Sequence, residues 1–267
     1  MKNILYTLTL LVSFSSFGQT AEEYFSSAID KDAANDFNGA IVDYTKAIEL
    51  NPNYADAYYN RAESKNKLKN YSGAIADYTK AININPNDAM SYYNRGNSKD
   101  ELKDYGGAMA DITKAIELEP NYAPSFNNRG YLKHRLKDYN GAIADYTKAL
   151  ELVPSYDLAY FNLGNTRLNL KDYNGAIANY TKAIKYNSNY TDAYFNRGAA
   201  KADLKDYEGA IEDYTLAINL DPNDARSYYN RAISRYYSNY FGGACRDARK
   251  SESLGIAFPQ MIKAACN

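Results

Sequence analysis

Tryptophan is absent from this 267-residue chain, histidine occurs once and cysteine twice. One imidazole and two thiols are too few to assemble a zinc or other transition-metal site, and no metal or other cofactor is expected. Net charge is nearly absent too: 31 basic residues face 32 acidic ones, which gives −1. Without a basic field there is nothing to draw in a phosphate backbone, so nucleic acid is not an expected partner. Neither a phosphate-cradling glycine loop nor a nucleophile–base–acid set can be found, so an enzyme is not expected. Long apolar runs are missing beyond the first eighteen residues. The run that does occur, Ile4 to Phe14, is too short to span a bilayer, so no transmembrane span is expected.

That run follows Lys2 and ends at Ser16-Phe17-Gly18. A short positive region, an apolar core and a small-x-small end read as a secretory signal over residues 1–18, cut near Gly18 or Gln19. No cysteine lies near the junction, so a lipid anchor is not expected. The protein is then exported, to the periplasm or the extracellular space.

What the chain does have is a block of 34 residues repeated seven times without a slip in register. Asn60, Asn94, Asn128, Asn162, Asn196 and Asn230 fall on one beat. Gly39, Gly73, Gly107, Gly141, Gly175, Gly209 and Gly243 fall on another, each followed by alanine. Units start near residues 21, 55, 89, 123, 157, 191 and 225 and fill 19–254. Units this small cannot bury an apolar face alone and are stable only when stacked.

Within the second unit, Asn53 is expected to cap a helix from about Tyr54 to Leu68, and Asn70 a second from about Tyr71 to Ile84. Asn85-Pro86-Asn87 ends it, because proline cannot continue the hydrogen-bond ladder. Tyr71, Ala74, Ile75, Tyr78, Ala81 and Ile82 stripe the second helix at helical spacing. The fold class is all-α, built from antiparallel helix pairs. Tyr58, Ala62, Ala74, Tyr78, Ala81 and Pro86, with Tyr92, Gly96, Ala108, Ile112, Ala115 and Pro120 one unit on, resemble the tetratricopeptide repeat. That resemblance implies a right-handed α-solenoid of seven helix pairs whose first helices line a concave groove. It also implies a scaffold for other proteins.

There are departures from the family pattern. Ser188 replaces the fifth unit's proline, and the usual leucine before the small residue is Arg61, Arg95, Arg129, Arg197 or Arg231. Those arginines read either as an anion-binding column or as partners of Asp77, Asp111, Asp145, Asp213 and Asp247. Leu163 and Asn179 lose both members in the same unit, which is what an ion pair between the two helices would produce.

By i, i+3, i+4 spacing the first helices bring a ring column and an amide column to one face. The rings are Phe25, Tyr59, Tyr93, Phe161, Phe195 and Tyr229, interrupted by Asn127. The amides are Asn60, Asn94, Asn128, Asn162, Asn196 and Asn230. Such a row either grips an extended peptide backbone, in a spacing that resembles the ladder of O-GlcNAc transferase, or satisfies neighbouring helix carbonyls. The alternative class is a glycan-binding module of the cell envelope, with the rings stacked on sugars. Deeper groove positions run from Glu63, Asn66, Asn97 and Asp100 to Leu168, Ala199, Ala202, Ile233 and Tyr236, which either suits a segment polar at one end and apolar at the other or, for Ile233 and Tyr236, reflects packing under the terminal cap. His134, on the same face, reads as a packing residue. Beyond Leu254, residues 255–267 form a capping helix, from about Phe258 to Ala265. A turn at Gly255 would bring Cys245 level with Cys266 for a disulfide, the alternative being two buried thiols.

Overall fold

The structure is a computed structural model and describes residues 19–257, 260–263 and 266. The signal segment expected over residues 1–18 lies outside the described residues. Among these, every regular element is an α-helix, fifteen in all. They fall into two compact units that divide between Asn87 and Asp88. The smaller holds α1 (Ala21–Ala33), α2 (Phe37–Leu50), α3 (Ala55–Lys67) and α4 (Tyr71–Ile84). The larger holds α5 (Ala89–Glu101), α6 (Tyr105–Leu118), α7 (Ala123–Arg135), α8 (Tyr139–Leu152), α9 (Asp157–Asn169), α10 (Tyr173–Tyr186), α11 (Thr191–Asp203), α12 (Tyr207–Leu220), α13 (Ala225–Tyr237), α14 (Phe241–Ser253) and the short α15 (Gln260–Lys263). Odd and even helices pack in consecutive pairs, as the repeat requires.

The fourth pair shows how the residues dictate this. α7 ends at Arg135 with Leu136 as its C-cap, and Lys137 then adopts a left-handed conformation with φ 65°. There Asp138 N–H reaches Lys133 O at 2.9 Å and Lys137 N–H reaches His134 O at 2.9 Å, so the last carbonyls of α7 are satisfied. Asp138 caps α8 by accepting from Gly141 N–H at 3.0 Å. The glycine beat follows from that cap, since a Cβ on Gly141 would collide with the Asp138 carboxylate. Ala142, Tyr146 and Ala149 form the buried stripe of α8, and Pro154 prevents its continuation. Gly130 on α7 is small because the Tyr146 ring lies against it, within 2.9 Å of where a Cβ would stand.

Asn70 caps α4 as expected, through Gly73 N–H at 3.0 Å. Asn53 does not cap α3. Tyr54 holds the N-cap position with no side-chain bond, and Asn53 N–H instead donates to Asn51 Oδ1 at 3.2 Å. The Asn-Pro-Asn turn uses its first asparagine, which leaves the second one residue too early to reach the helix.

Between the helices of most pairs a carboxylate is buried. Asp145 accepts from Arg129 Nε at 2.9 Å and Nη2 at 2.7 Å, and from Lys133 Nζ at 2.7 Å. Asp77, Asp111, Asp213 and Asp247 repeat the arrangement with Arg61 and Lys65, Arg95 and Lys99, Arg197 and Lys201, and Arg231 and Arg235. Asp213 is 1% exposed, so its charge is tolerable only because both cations reach it. A third arginine nitrogen reaches the pair before: Arg61 Nη1 donates to Thr45 Oγ1 at 2.9 Å, Arg197 to Thr181 at 3.0 Å and Arg231 to Thr215 at 2.9 Å. With the fork occupied, the arginines form no free anion-binding column. In the first pair Ser27 and Lys31 serve Asp43. In the fifth, Leu163 packs on Ala142 and Tyr146, Asn179 turns back to Gly175 O at 2.6 Å, and Arg167 swings to Asp172 at 2.9 Å.

At the end of the larger unit the chain turns at Gly255, φ 98°. Ile262 of α15 is fully buried against Ala232, Ala244 and Ala248. The expected capping helix is therefore described over Gln260–Lys263, and its flanks Phe258, Pro259, Ala264 and Ala265 lie outside the described residues. Cys245 and Cys266 stand with Cα atoms 5.6 Å apart, inside the range of a disulfide.

The fifth pair supplies a test. Arg197→Leu alone should lower stability by about 3 kcal/mol in urea unfolding followed by circular dichroism, because Asp213 stays buried with one partner fewer. Adding Asp213→Asn should recover most of that loss. Additive losses would show that the pairing is not the source of the effect.

Candidate binding face

In the larger unit each odd helix touches the next odd one, α5 to α7, α7 to α9, α9 to α11 and α11 to α13. Side chains of both expected columns meet along these contacts. Asn128 Nδ2 donates to Asn97 Oδ1 and Tyr93 OH, both at 2.9 Å, while its own Oδ1 accepts from Asn127 at 3.1 Å. Asn162 donates to Asn127 Oδ1 at 3.1 Å, and Asn196 to Asn165 Oδ1 at 2.9 Å. The amides of Asn128, Asn162 and Asn196 thus link helix to helix through side chains. Asn60, Asn94 and Asn230 are half-buried on the same beat, Asn60 in the smaller unit.

The ring column is half-buried and held by other rings. Tyr93 meets Tyr122 edge-on at 5.3 Å, Phe161 stacks on Tyr190 at 4.6 Å, and Phe195 lies 5.7 Å from Tyr214. The Arg226 guanidinium covers the Phe195 ring at 4.8 Å. In the smaller unit Tyr59 meets Tyr78 edge-on at 5.7 Å. Tyr229 is half-buried on α13. Their partners recur on two beats, the core tyrosine of the even helix and the tyrosine before the next odd helix. The sequence repeats both, but their geometry appears only in three dimensions.

Two cavities open among the odd helices of the larger unit. One of about 550 Å³ sets Ala199, Ala202 and Ile233 beside the polar Asp203, Lys205 and Asn230. The other, of about 330 Å³, is lined by Asn97, Asp100, Ile112, Asn128, Tyr131 and Leu132. Both linings mix polar and apolar side chains.

His134 joins α7 to α9. Its Nε2 accepts from Asn169 Nδ2 at 3.1 Å, which fixes the proton on Nδ1, and Nδ1–H donates to Thr166 Oγ1 at 2.8 Å. Thr166 passes its own hydrogen to Asn162 O at 2.9 Å. Burial holds the imidazole pKa below its ordinary value of 6.5. The folded state therefore favours the neutral ring and binds fewer protons than the unfolded chain. This contribution to stability is complete above about pH 6.5 and is lost as the pH falls through the folded value. An NMR titration of the one imidazole should give a midpoint below 6.5, and a midpoint at or above it would contradict the neutral linker.

Models of the tetratricopeptide repeat match residues 55–88 and 191–224, and 77–110 and 112–144; a TPR repeat model matches 33–68, 134–171 and 167–205. No curated protein sequence matches the chain. Among solved structures, a tetratricopeptide repeat protein from Parabacteroides merdae is 20% identical, with a TM-score of 0.70 over 93% of this chain and 98% of that one. PilF of Pseudomonas aeruginosa is 20% identical, with a TM-score of 0.69 over 79% and 96%. YrrB, described as a TPR protein with an unusual peptide-binding site, is 24% identical, with a TM-score of 0.59 over 70% and 95%. Identities at this level speak for the fold alone. With repeat matches running over most of residues 33–224 and helix pairs throughout the described residues, the chain belongs to the tetratricopeptide repeat family.

Proposed function

We propose that this protein is an exported, non-enzymatic scaffold that holds an extended segment of another protein along the odd-helix face of its larger unit. The observation that carries the reading is the pre-set state of that face. Rings and amides there are fixed by neighbours on adjacent helices, so little side-chain freedom is lost when a ligand arrives. Asn162 spends one amide hydrogen on Asn127 and has its carbonyl for a backbone N–H of the segment. YrrB, of the same fold, is described as having a peptide-binding site, which agrees with this use. Sugar stacking fits less well, because Tyr93 and Phe161 already pack against Tyr122 and Tyr190.

Export accords with two features. No helix among the described residues is long and apolar enough to cross a membrane. Cys245 and Cys266 are placed for a bond that persists in an oxidising compartment, where it would staple α15 over the last pair.

Random peptides displayed on phage and selected on the protein provide ligands for a test. Asn162→Ala with Asn196→Ala should weaken a selected peptide by about tenfold in fluorescence anisotropy, from two lost hydrogen bonds. Glu117→Ala, on the exposed side of α6, should leave it unchanged. Failure to select any peptide, or equal affinity in the double variant, would refute the groove. Separately, denatured protein from the exported fraction should show no free thiol, and reduction should cost about 3 kcal/mol of stability at the C-terminal end. Two reactive thiols would contradict the staple.

A further inference from the structure

We infer that the cavity between α5, α6 and α7 is a cation pocket, which takes the lysine or arginine head of the bound segment against the Asp100 carboxylate. The inference rests on the groove reading and specifies its ligand.

It comes from one break in the repeat. The core beat of the even helices is Tyr44, Tyr78, Tyr146, Tyr180 and Tyr214, but it is Ile112 in the third pair and Ala248 in the terminal seventh. In the first pair Tyr44 OH donates to Asp32 Oδ2 at 2.8 Å. Asp100 occupies the beat of Asp32 one unit further on from α3, and Ile112 has no hydroxyl to offer it. The consequence is visible twice. Asp100 Oδ1 is shut off from bulk solvent with no hydrogen bond, and the space in front of Ile112 is a cavity of about 330 Å³. Orphaned acceptors of this kind are costly, more so when charged.

The cations nearby do not fill the role. Lys99 is committed to Asp111 at 2.7 Å. Arg135 Nη1 stays 3.9 Å from Asp100 Oδ1, beyond hydrogen-bond reach. It is detained by Tyr105 OH, 2.6 Å from Nη2, and by Tyr131 OH, 3.3 Å from Nη1, with its guanidinium 4.7 Å from the centre of the Tyr105 ring. Burial raises the Asp100 carboxyl pKa and Glu101, on the cavity rim, raises it further, while Arg135 draws it back. An apolar occupant would leave the Asp100 charge uncompensated, and an anion would meet two carboxylates. A basic head supplies both the donor and the charge, and Asn97 and Asn128 line the cavity around it.

n-Propylguanidinium is the probe. Titrated into the isotope-labelled protein at constant ionic strength, it should give saturable amide NMR shifts at Asn97, Asp100, Asn128 and Leu132. Asp100→Asn should weaken it at least tenfold. Ile112→Tyr, which restores the residue of five other pairs, should abolish it. An absence of saturable shifts, or unchanged binding in Asp100→Asn, would overturn the pocket. The phage selection keeps the two readings apart. Peptides that bind without enrichment in lysine or arginine, and with no shift by the probe, leave the groove standing and remove the pocket. Probe binding without any selected peptide leaves the pocket standing and removes the groove.

Discussion

A carboxylate buried between two helices is the constraint around which six of the seven pairs are organised. Its desolvation cost is met by placing two cations on it at once, both from the odd helix, one turn apart. The arginine does this with two nitrogens and, in three of the pairs, uses a third on the threonine of the pair before, so one side chain closes a repeat and joins it to its neighbour. The fifth pair confirms the logic by exception. Its aspartate and arginine are replaced together, and the remaining cation finds a surface carboxylate instead of pointing into a neutral site.

That arrangement decides what the odd-helix face can present. Many of the charges that a scaffold might have turned toward a ligand are drawn inward, and the columns along the larger unit are amides and rings, with cations such as Arg226 laid over Phe195. The amides reach back to the preceding odd helix and the rings lean on tyrosines of other beats, so both columns already have partners within the protein. A face set in this way suits the extended segment proposed for it, since little side-chain freedom would be lost on binding.

Much of this was legible from the residues. Helix pairs, the Asn70 cap and the arginine–aspartate partnership follow from register, because seven copies in one chain allow like positions to be compared. The paired change at Leu163 and Asn179 was already a record of contact. Lys65, Lys99, Lys133 and Lys201 were not legible as partners of the same aspartates, since a lysine column on an amphipathic helix ordinarily marks the solvated face. Asn53 misled because the Asn-Pro-Asn turn offers two asparagines and only geometry tells which one the backbone uses. The cross-links of Asn128, Asn162 and His134 reach partners 31 to 35 residues away on an adjacent odd helix, a relation that spacing suggests but cannot orient. Ile112 was read only as one of the motif residues, and the meaning of the change from tyrosine depended on the burial of Asp100 Oδ1.

Hydrogen–deuterium exchange of the protein with and without its native partner tests the central claim most directly. Slowed exchange confined to α5, α7, α9, α11 and α13, with the even helices unchanged, is the result expected of a segment laid along the odd-helix face. Protection on the even helices, or none within residues 88–257, would contradict it.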